Sequence, residues 1–278
     1  MLRVAPLFLS ATLALAATRI AVHGHRGARG ARPENTMAAF RYAISLGVDV
    51  LELDLAVTQD DVVVVSHDPH VNPVICQGPK PGAAIRQLSF AELRAYDCGS
   101  RRHPDFPKQQ PVPGERIPSL DEVLSLAREG AREFNIETKI FRDHPELTPT
   151  PERFVDLILA QVRRHGLKER VILQSFDYRT LHAVKRREPR IRRAALCEND
   201  QRDFVVIARE AEADIISPHY SLVTREKVQR AHQTGLPVVP WTANRAEDWA
   251  WLVEAGVDGI ITDYPAELLA WLQARGLR

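Results

Sequence analysis

The chain has almost no charge imbalance: 37 Lys and Arg stand against 36 Asp and Glu, a net charge of +1 at pH 7. With no excess of either sign there is no general attraction for nucleic acid or an anionic membrane, so any anion has to be recognised locally. Cysteine is scarce as well, at positions 76, 98 and 197 only, and separated single cysteines are not a zinc pattern. In an oxidising compartment Cys76 and Cys98 can close a loop in an irregular stretch, leaving Cys197 free in the strand-like run "RRAALCEN"; the sequence leaves that pairing open. Long apolar runs are missing too. The longest, Val4 to Ala17, is shorter than the roughly 18 residues a membrane span needs, which excludes stable membrane insertion. Arg3 precedes it and Ala14-Leu15-Ala16 forms a small-x-small cleavage pattern, so residues 1–16 read as a secretory signal peptide. The expected location is periplasmic or secreted, with the cytoplasm as the alternative if the segment is retained.

What is present is ordinary soluble protein, 45% hydrophobic and 26% charged, neither disordered nor fibrous in composition. Short apolar runs alternate with helical patterns, the signature of β/α units and a parallel sheet. The strand candidates are 19–25, 48–57, 133–139, 170–176, 192–198, 213–219, 236–242 and 257–263. Between them lie helical stretches such as "PERFVDLILAQVRRHG" and "RAEDWAWLVEAG", several ending in the Gly that stops a helix. Eight strands with intervening helices predict an α/β fold, a (β/α)8 TIM barrel spanning 17–278, rather than an open doubly wound sheet. The interval of about 69–114 breaks the rhythm, being rich in Pro and Gly with one helical pattern, "LSFAELRAY". It follows "VVVVSHDPH", which can pair as an antiparallel extra strand with "LDLAVTQ" through Gln59, Asp60 and Asp61. The expectation is a small inserted subdomain after strand 2, over the barrel mouth, where a lid can sit.

In "LELDL" the period of two puts Glu52 and Asp54 on one face and the leucines on the other. A barrel strand packs one face on helices, so the leucines point outward and the acids inward. Neighbouring buried carboxylates persist only with a cation, a shared proton or basic partners. In "FNIETK" Asn135, Glu137 and Lys139 share a face in the same way. Glu52, Asp54 and Glu137 thus make an all-oxygen set suited to one hard divalent cation, Ca²⁺ or Mg²⁺, the competing reading being an ion-pair network with Lys139 and Arg26. Of the ten histidines, His70, His103, His144, His165, His182 and His232 lie in polar or helical contexts and read as surface residues. His67 ends an apolar run and is followed by Asp68, a residue able to orient an imidazole. His23 and His25 fall on one side of the first strand, so pattern alone does not choose between them.

Together the segments "GHRGARGARPENTMAAF", "GVDVLELDLAVTQDDVVVVSHDP", "IPSLDEVL", "NIETK", "QSFD", "PWTANRAEDW" and "GVDGIITDYP" resemble the glycerophosphodiester phosphodiesterase family, in the family's order and over nearly the whole barrel. The resemblance implies hydrolysis of small-molecule glycerophosphodiesters to glycerol 3-phosphate and an alcohol with one divalent cation. It implies that His25 of "HRG" and His67 of "HD" are the acid/base pair, with Arg26 reaching the phosphate and Lys139 a second cation near it. Glu52, Asp54 and Glu137 are the implied metal ligands, Glu34 and Asn35 of "PENT" line or orient the mouth, and Trp241 is an apolar wall for the glycerol. With His25 at the C-terminal end of the strand, His23 is expected a layer deeper in the barrel, a neutral, hydrogen-bonded or supporting residue, while Arg29 and Arg32 are expected to serve the solvated loop leading to Glu34 and Asn35. The chain departs from the family where "HVNPVICQGPKPG" follows "HDP", and at Thr138, an outward position. A lipid-directed phosphodiesterase of the sphingomyelinase D or phosphatidylinositol phospholipase C type is the rival enzyme, but 69–114 has no aromatic cluster to dock on a membrane. A barrel that only binds phosphoesters is the rival outside catalysis.

Overall fold

The computed structural model describes residues 19–278, so the expected signal peptide lies outside the described residues. In chain order the strands are β1 (Ala21–Gly24), β2 (Val50–Val57), β3 (Val63–Val65), β4 (Glu133–Thr138), β5 (Val171–Ser175), β6 (Arg192–Cys197), β7 (Ile215–Pro218) and β8 (Gly259–Thr262). The helices are α1 (Met37–Leu46), α2 (Phe90–Leu93), α3 (Leu120–Ser125), α4 (Pro151–His165), α5 (Tyr178–Arg187), α6 (Phe204–Glu210), α7 (Arg225–Gln233), α8 (Ala246–Ala255) and α9 (Pro265–Gln273). Helix starts carry oxygen caps at Thr36, Ser119, Thr150, Asp177, Asp203 and Thr224, and Gly47, Gly166 and Gly256 end helices in the left-handed conformation. None of the helices among the described residues is long and apolar enough to cross a membrane.

Neighbouring strands run in the order β7-β6-β5-β4-β2-β1-β8, parallel throughout, while β3 pairs antiparallel with β2 as the run after Asp61 predicts. The candidate strand at 236–242 is a correction: it forms no regular strand. Pro237 and Pro240 lack the N–H a ladder needs, so this stretch joins β7 by the single bridges Ile216 to Val238 and His219 to Trp241. On its other side Asp258 N donates to Val238 O at 3.0 Å and Ile261 N to Pro240 O at 2.9 Å. These contacts close the ring between β7 and β8, and the molecule is a (β/α)8 barrel.

Alternation on each strand builds two apolar layers. Leu51, Leu53 and Leu55 face outward and pack with Phe134, Ile136, Phe154 and Leu181 between sheet and helices. Each such side chain contributes about 1.5–3 kcal/mol of burial. Thr138 also points outward, where its hydroxyl bonds Thr180 Oγ1 of α5 at 2.9 Å. Inside the ring Ile172, Ala194, Ile215, Val239 and Ile261 fill one half of the barrel, with Trp241 against them.

Residues 69–114 form a separate lobe with its own small core, in which Val71, Ile85, Leu93 and Tyr96 pack on Ala56 and Val64. Cys76 and Cys98 are joined by a disulfide inside this lobe, and Cys197 is free and buried. The lobe grips the loop after β1. Gln109 Nε2 donates to Arg29 O at 2.8 Å and Arg32 O at 3.1 Å, and Gln110 N to Ala31 O at 2.9 Å.

Candidate active site

The C-terminal ends of the barrel strands surround a cavity of about 330 Å³, lined by His25, Arg26, Arg29, Glu52, Asp54, His67, Glu137, Lys139, Gln174, Phe176, Leu196, Glu198, Trp241, Thr242 and Ile261. The loop that follows β1 is folded tightly enough to demand glycine: a Cβ on Gly24 would stand 2.1 Å from Gly27 O, and Gly27 itself has φ +84° against α1. Arg26 and Asn35 are held at φ +48° and +55°, a left-handed conformation that costs a non-glycine residue of order 1 kcal/mol or more. What fixes them is a network of acids. Arg26 N donates to Glu52 Oε2 at 2.9 Å, its Nη1 to Glu34 Oε1 at 2.7 Å, and its Nε stands 3.1 Å from Asp54 Oδ2. Asn35 Nδ2 donates to the same Asp54 oxygen at 3.0 Å.

Glu34 and Asn35 therefore stand behind the cavity and aim Arg26 and Asp54, rather than lining it themselves. Arg29, expected in the solvated loop, does line the cavity; it pairs with Glu34 and lies over the Phe106 ring at 4.7 Å. Arg32 stacks on Tyr42 at 4.5 Å and is absent from the cavity wall. Three histidines read as surface residues, His103, His165 and His182, are partly buried instead. His103 lies 3.3 Å from Arg29 Nη2, and His165 pairs with Asp121 at 2.9 Å.

The inward acids meet as the alternation predicts. Oxygens of Glu52, Asp54 and Glu137 lie within 4.8 Å of one another, all three residues buried. Asp54 Oδ1 and Glu137 Oε1 are buried without a well-formed hydrogen bond. Their neighbour is Lys139 Nζ, at 3.2 and 2.7 Å, close enough for charge but poorly directed. Glu52 receives Gln174 Nε2 at 2.8 Å, and Gln174 is set in turn by Asn135 Nδ2 at 2.9 Å. Burial and the neighbouring charge of Asp54 push the Glu52 carboxyl well above its ordinary range, and burial raises Glu137 against the pull of Lys139. Asp54 goes the other way: although burial acts to raise it, Lys139 and Arg26 hold it well below the usual carboxylate range. Crowded acids with lone pairs unclaimed and only oxygen donors fit one hard cation.

His25 takes the position past the end of β1. Its Nδ1 is 2.6 Å from Asp263 Oδ1, and its Nε2 points to the cavity with Glu52 Oε2 at 3.9 Å. Asn244 Nδ2 donates to Asp263 Oδ2 at 2.7 Å, and Asp263 N donates back to Asn244 Oδ1 at 2.9 Å, so the carboxylate cannot swing. Burial lowers the His25 pKa, partly offset by Asp263. His67 Nδ1 is 2.9 Å from Asp68 Oδ1, and Asn72 Nδ2 donates to the other oxygen of that carboxylate, Asp68 Oδ2, at 2.8 Å. Asp263, Asn244 and Gln174 were missed from the sequence. Asp263 and Asn244 sit inside quoted motifs, and Gln174 is a polar residue facing inward from an apolar strand, so each carried a signal. Trp241 Nε1 donates to Ser217 O at 2.9 Å, which leaves the indole as an apolar wall.

Fold and site together define a class: a (β/α)8 barrel whose mouth joins an acidic cation cradle, two carboxylate-anchored imidazoles and two fixed positive side chains, an arrangement for phosphoester chemistry. Residues 25–267 match the glycerophosphoryl diester phosphodiesterase family. A glycerophosphodiester phosphodiesterase of Caldanaerobacter subterraneus subsp. tengcongensis is 32% identical over 255 residues, covering 92% of this chain and 98% of that one. A Bacillus subtilis glycerophosphodiester phosphodiesterase is 29% identical, covering 90% and 86%. Among solved structures, a Silicibacter pomeroyi protein assigned to the glycerophosphoryl diester phosphodiesterases superposes with a TM-score of 0.85 at 30% identity over 94% of this chain and 97% of that one. An Oleispira antarctica phosphodiesterase solved with its product sn-glycerol-3-phosphate shares the fold, with a TM-score of 0.79 at 22% identity over 92% and 97%. The chain belongs to the glycerophosphoryl diester phosphodiesterase family and acts on small-molecule glycerophosphodiesters.

Proposed function

We propose that the enzyme releases glycerol 3-phosphate and an alcohol by means of His25 and His67 as acid/base pair, with Glu52, Asp54 and Glu137 holding one divalent cation, Ca²⁺ or Mg²⁺. The observation that carries this reading is that both imidazoles and all three acids line one cavity with Arg26 and Lys139. A bound cation would supply charge neutralisation at phosphoryl and glycerol oxygens. Arg26 and Lys139 offset the negative charge that repels nucleophiles from a phosphodiester. Glu34 and Asn35 keep Arg26 and Asp54 aimed, and Trp241 packs on the carbon side of the glycerol.

Each imidazole has one nitrogen tied to a carboxylate, Asp263 or Asp68, and the other free for substrate. One takes the proton from the glycerol hydroxyl beside the phosphorylated carbon, and the other gives a proton to the departing alkoxide. The resulting cyclic phosphate is opened by water with the two roles exchanged, which returns both histidines to their starting state. The Cys76 to Cys98 disulfide favours an oxidising compartment, in keeping with export to the periplasm or beyond.

Product analysis tests the proposal: glycerophosphocholine and sphingomyelin are each offered to purified enzyme with a chelator, and then with Mg²⁺ or Ca²⁺ restored. Glycerol 3-phosphate from the first substrate, lost on chelation and regained with the ion, is expected. Ceramide phosphate from the second, or activity indifferent to chelation, overturns it.

A further inference from the structure

The cavity wall is divided in a way that the reading above does not use. Most of its charged groups come from β1 and the loop after it, β2, the end of β4 and the turn after β3, which bring His25, Arg26, Arg29, Glu52, Asp54, His67, Glu137 and Lys139. In the strand order, β6 lies across the barrel from β1, and β5, β6 and the residues just past their ends bring Gln174, Phe176, Leu196 and Glu198 to the mouth, Gln174 being turned to Glu52 and the other three left for substrate. Phe176 is 45% exposed, a large apolar side chain left open to solvent at a binding cavity. Its ring meets Trp241 at 88° with centroids 5.5 Å apart, so the two rings form the walls of an open corner. Glu198 is the fourth carboxylate on the cavity wall, yet it takes no part in the cation cradle. Among the described residues it has no salt-bridge partner, whereas Glu52, Asp54 and Glu137 are within reach of Lys139, Arg26 or His25.

We propose that Phe176, Leu196 and Glu198 form the subsite for the leaving alcohol and that it selects alcohols bearing an ammonium group, such as choline or ethanolamine. This rests on the reading of the site given above. With the phosphate held on the charged half and the glycerol hydroxyls toward the acids, the second ester arm has the opposite wall to reach. An ammonium head satisfies that wall twice: its charge meets the free Glu198 carboxylate, and its methyl or methylene groups pack on the exposed Phe176 ring, where a cation is attracted to a ring face. A neutral polyol gains neither contact, and an anionic alcohol meets repulsion from Glu198.

The test is a competition between glycerophosphocholine and glycerophosphoglycerol, read as the ratio of kcat/KM for release of glycerol 3-phosphate, in wild type and in Glu198→Gln, Glu198→Lys and Phe176→Leu. The wild type is expected to prefer the choline substrate. The ratio is expected to fall about fivefold in Glu198→Gln, further in Glu198→Lys, and about threefold in Phe176→Leu, the size of a partly exposed ion pair or cation–π contact. A ratio unchanged in all three variants, or equal losses on both substrates, overturns the subsite. Failure of wild type to release glycerol 3-phosphate from either substrate would instead overturn the function on which it rests, so the two failures are distinguishable.

Discussion

The two ends of the barrel share one strand and treat its histidines in opposite ways. At the mouth, His25 is anchored by Asp263, faces a cavity and stands beside the acid cradle. Two residues earlier, His23 is 3% exposed at the barrel base, where Arg19, Asp49, Arg132 and Arg192 surround it, and its Nδ1 has no partner. Burial, only partly countered by Asp49, drops its pKa to about 4, so it is a neutral core residue at physiological pH. Both imidazoles are on the inner side of β1, so direction does not separate them. What separates them is what the neighbouring strand ends supply: a fixed carboxylate and substrate space in one case, ion pairs satisfied among themselves in the other. A catalytic histidine is made by its partners more than by its position in the pattern.

The comparison can be broken or sharpened by substitution. The largest effect is expected from His67→Ala, which removes the second proton carrier at the mouth: about a 10³-fold loss of kcat with the fold intact by circular dichroism. Asp263→Asn keeps the His25 contact but lets the ring turn and take the wrong tautomer. About a 10²-fold loss of kcat is expected, with a displaced pH–rate profile and little change in KM, measured by steady-state kinetics across pH 5–9. Glu137→Gln takes one ligand charge from the cradle, and titration calorimetry is expected to show cation affinity reduced about tenfold or more, while the thermal midpoint without cation stays level or rises as crowded charge is relieved.

The smallest effect on activity, and the clearest on stability, belongs to the base. Unfolded, His23 titrates near 6.5; folded, near 4. Between those values the unfolded chain binds a proton that the folded chain does not, so stability falls as pH drops from about 6.5 to about 4 and is unaffected by this residue above that window. Asp49 acts to raise the folded value and Arg192 to lower it. The contribution between pH 7 and pH 5 is about 2 kcal/mol. His23→Leu is expected to flatten that part of the pH dependence in urea titrations, with turnover near wild type. An unchanged slope would show that His23 titrates normally in the folded state.

Much of the mouth was legible because period two on a barrel strand is a strong local rule: it sent Glu52, Asp54 and Glu137 inward and Leu51, Leu53 and Leu55 outward. The choice of His25 over His23 came from resemblance, not from pattern. What escaped was set by contacts distant in sequence. Asp263 meets His25 across 238 residues because ring closure makes β8 a neighbour of β1. Gln174 bonds Glu52 across 122 residues. Arg29 reached the cavity because the 69–114 lobe, through Gln109 and Phe106, pulls the loop after β1 inward. The stretch at 236–242 looked like a strand because its apolar residues outweighed Pro237 and Pro240, and it does occupy the place of one without its ladder.

The most direct measurement sets the two histidines of β1 side by side: kcat for glycerol 3-phosphate release by His23→Ala and His25→Ala, at one pH with cation in excess and folding verified for both. A loss of about 10³-fold in His25→Ala against a change within about threefold in His23→Ala is expected. Comparable losses in the two variants, or near wild-type turnover in His25→Ala, would contradict the assignment of chemistry to the mouth.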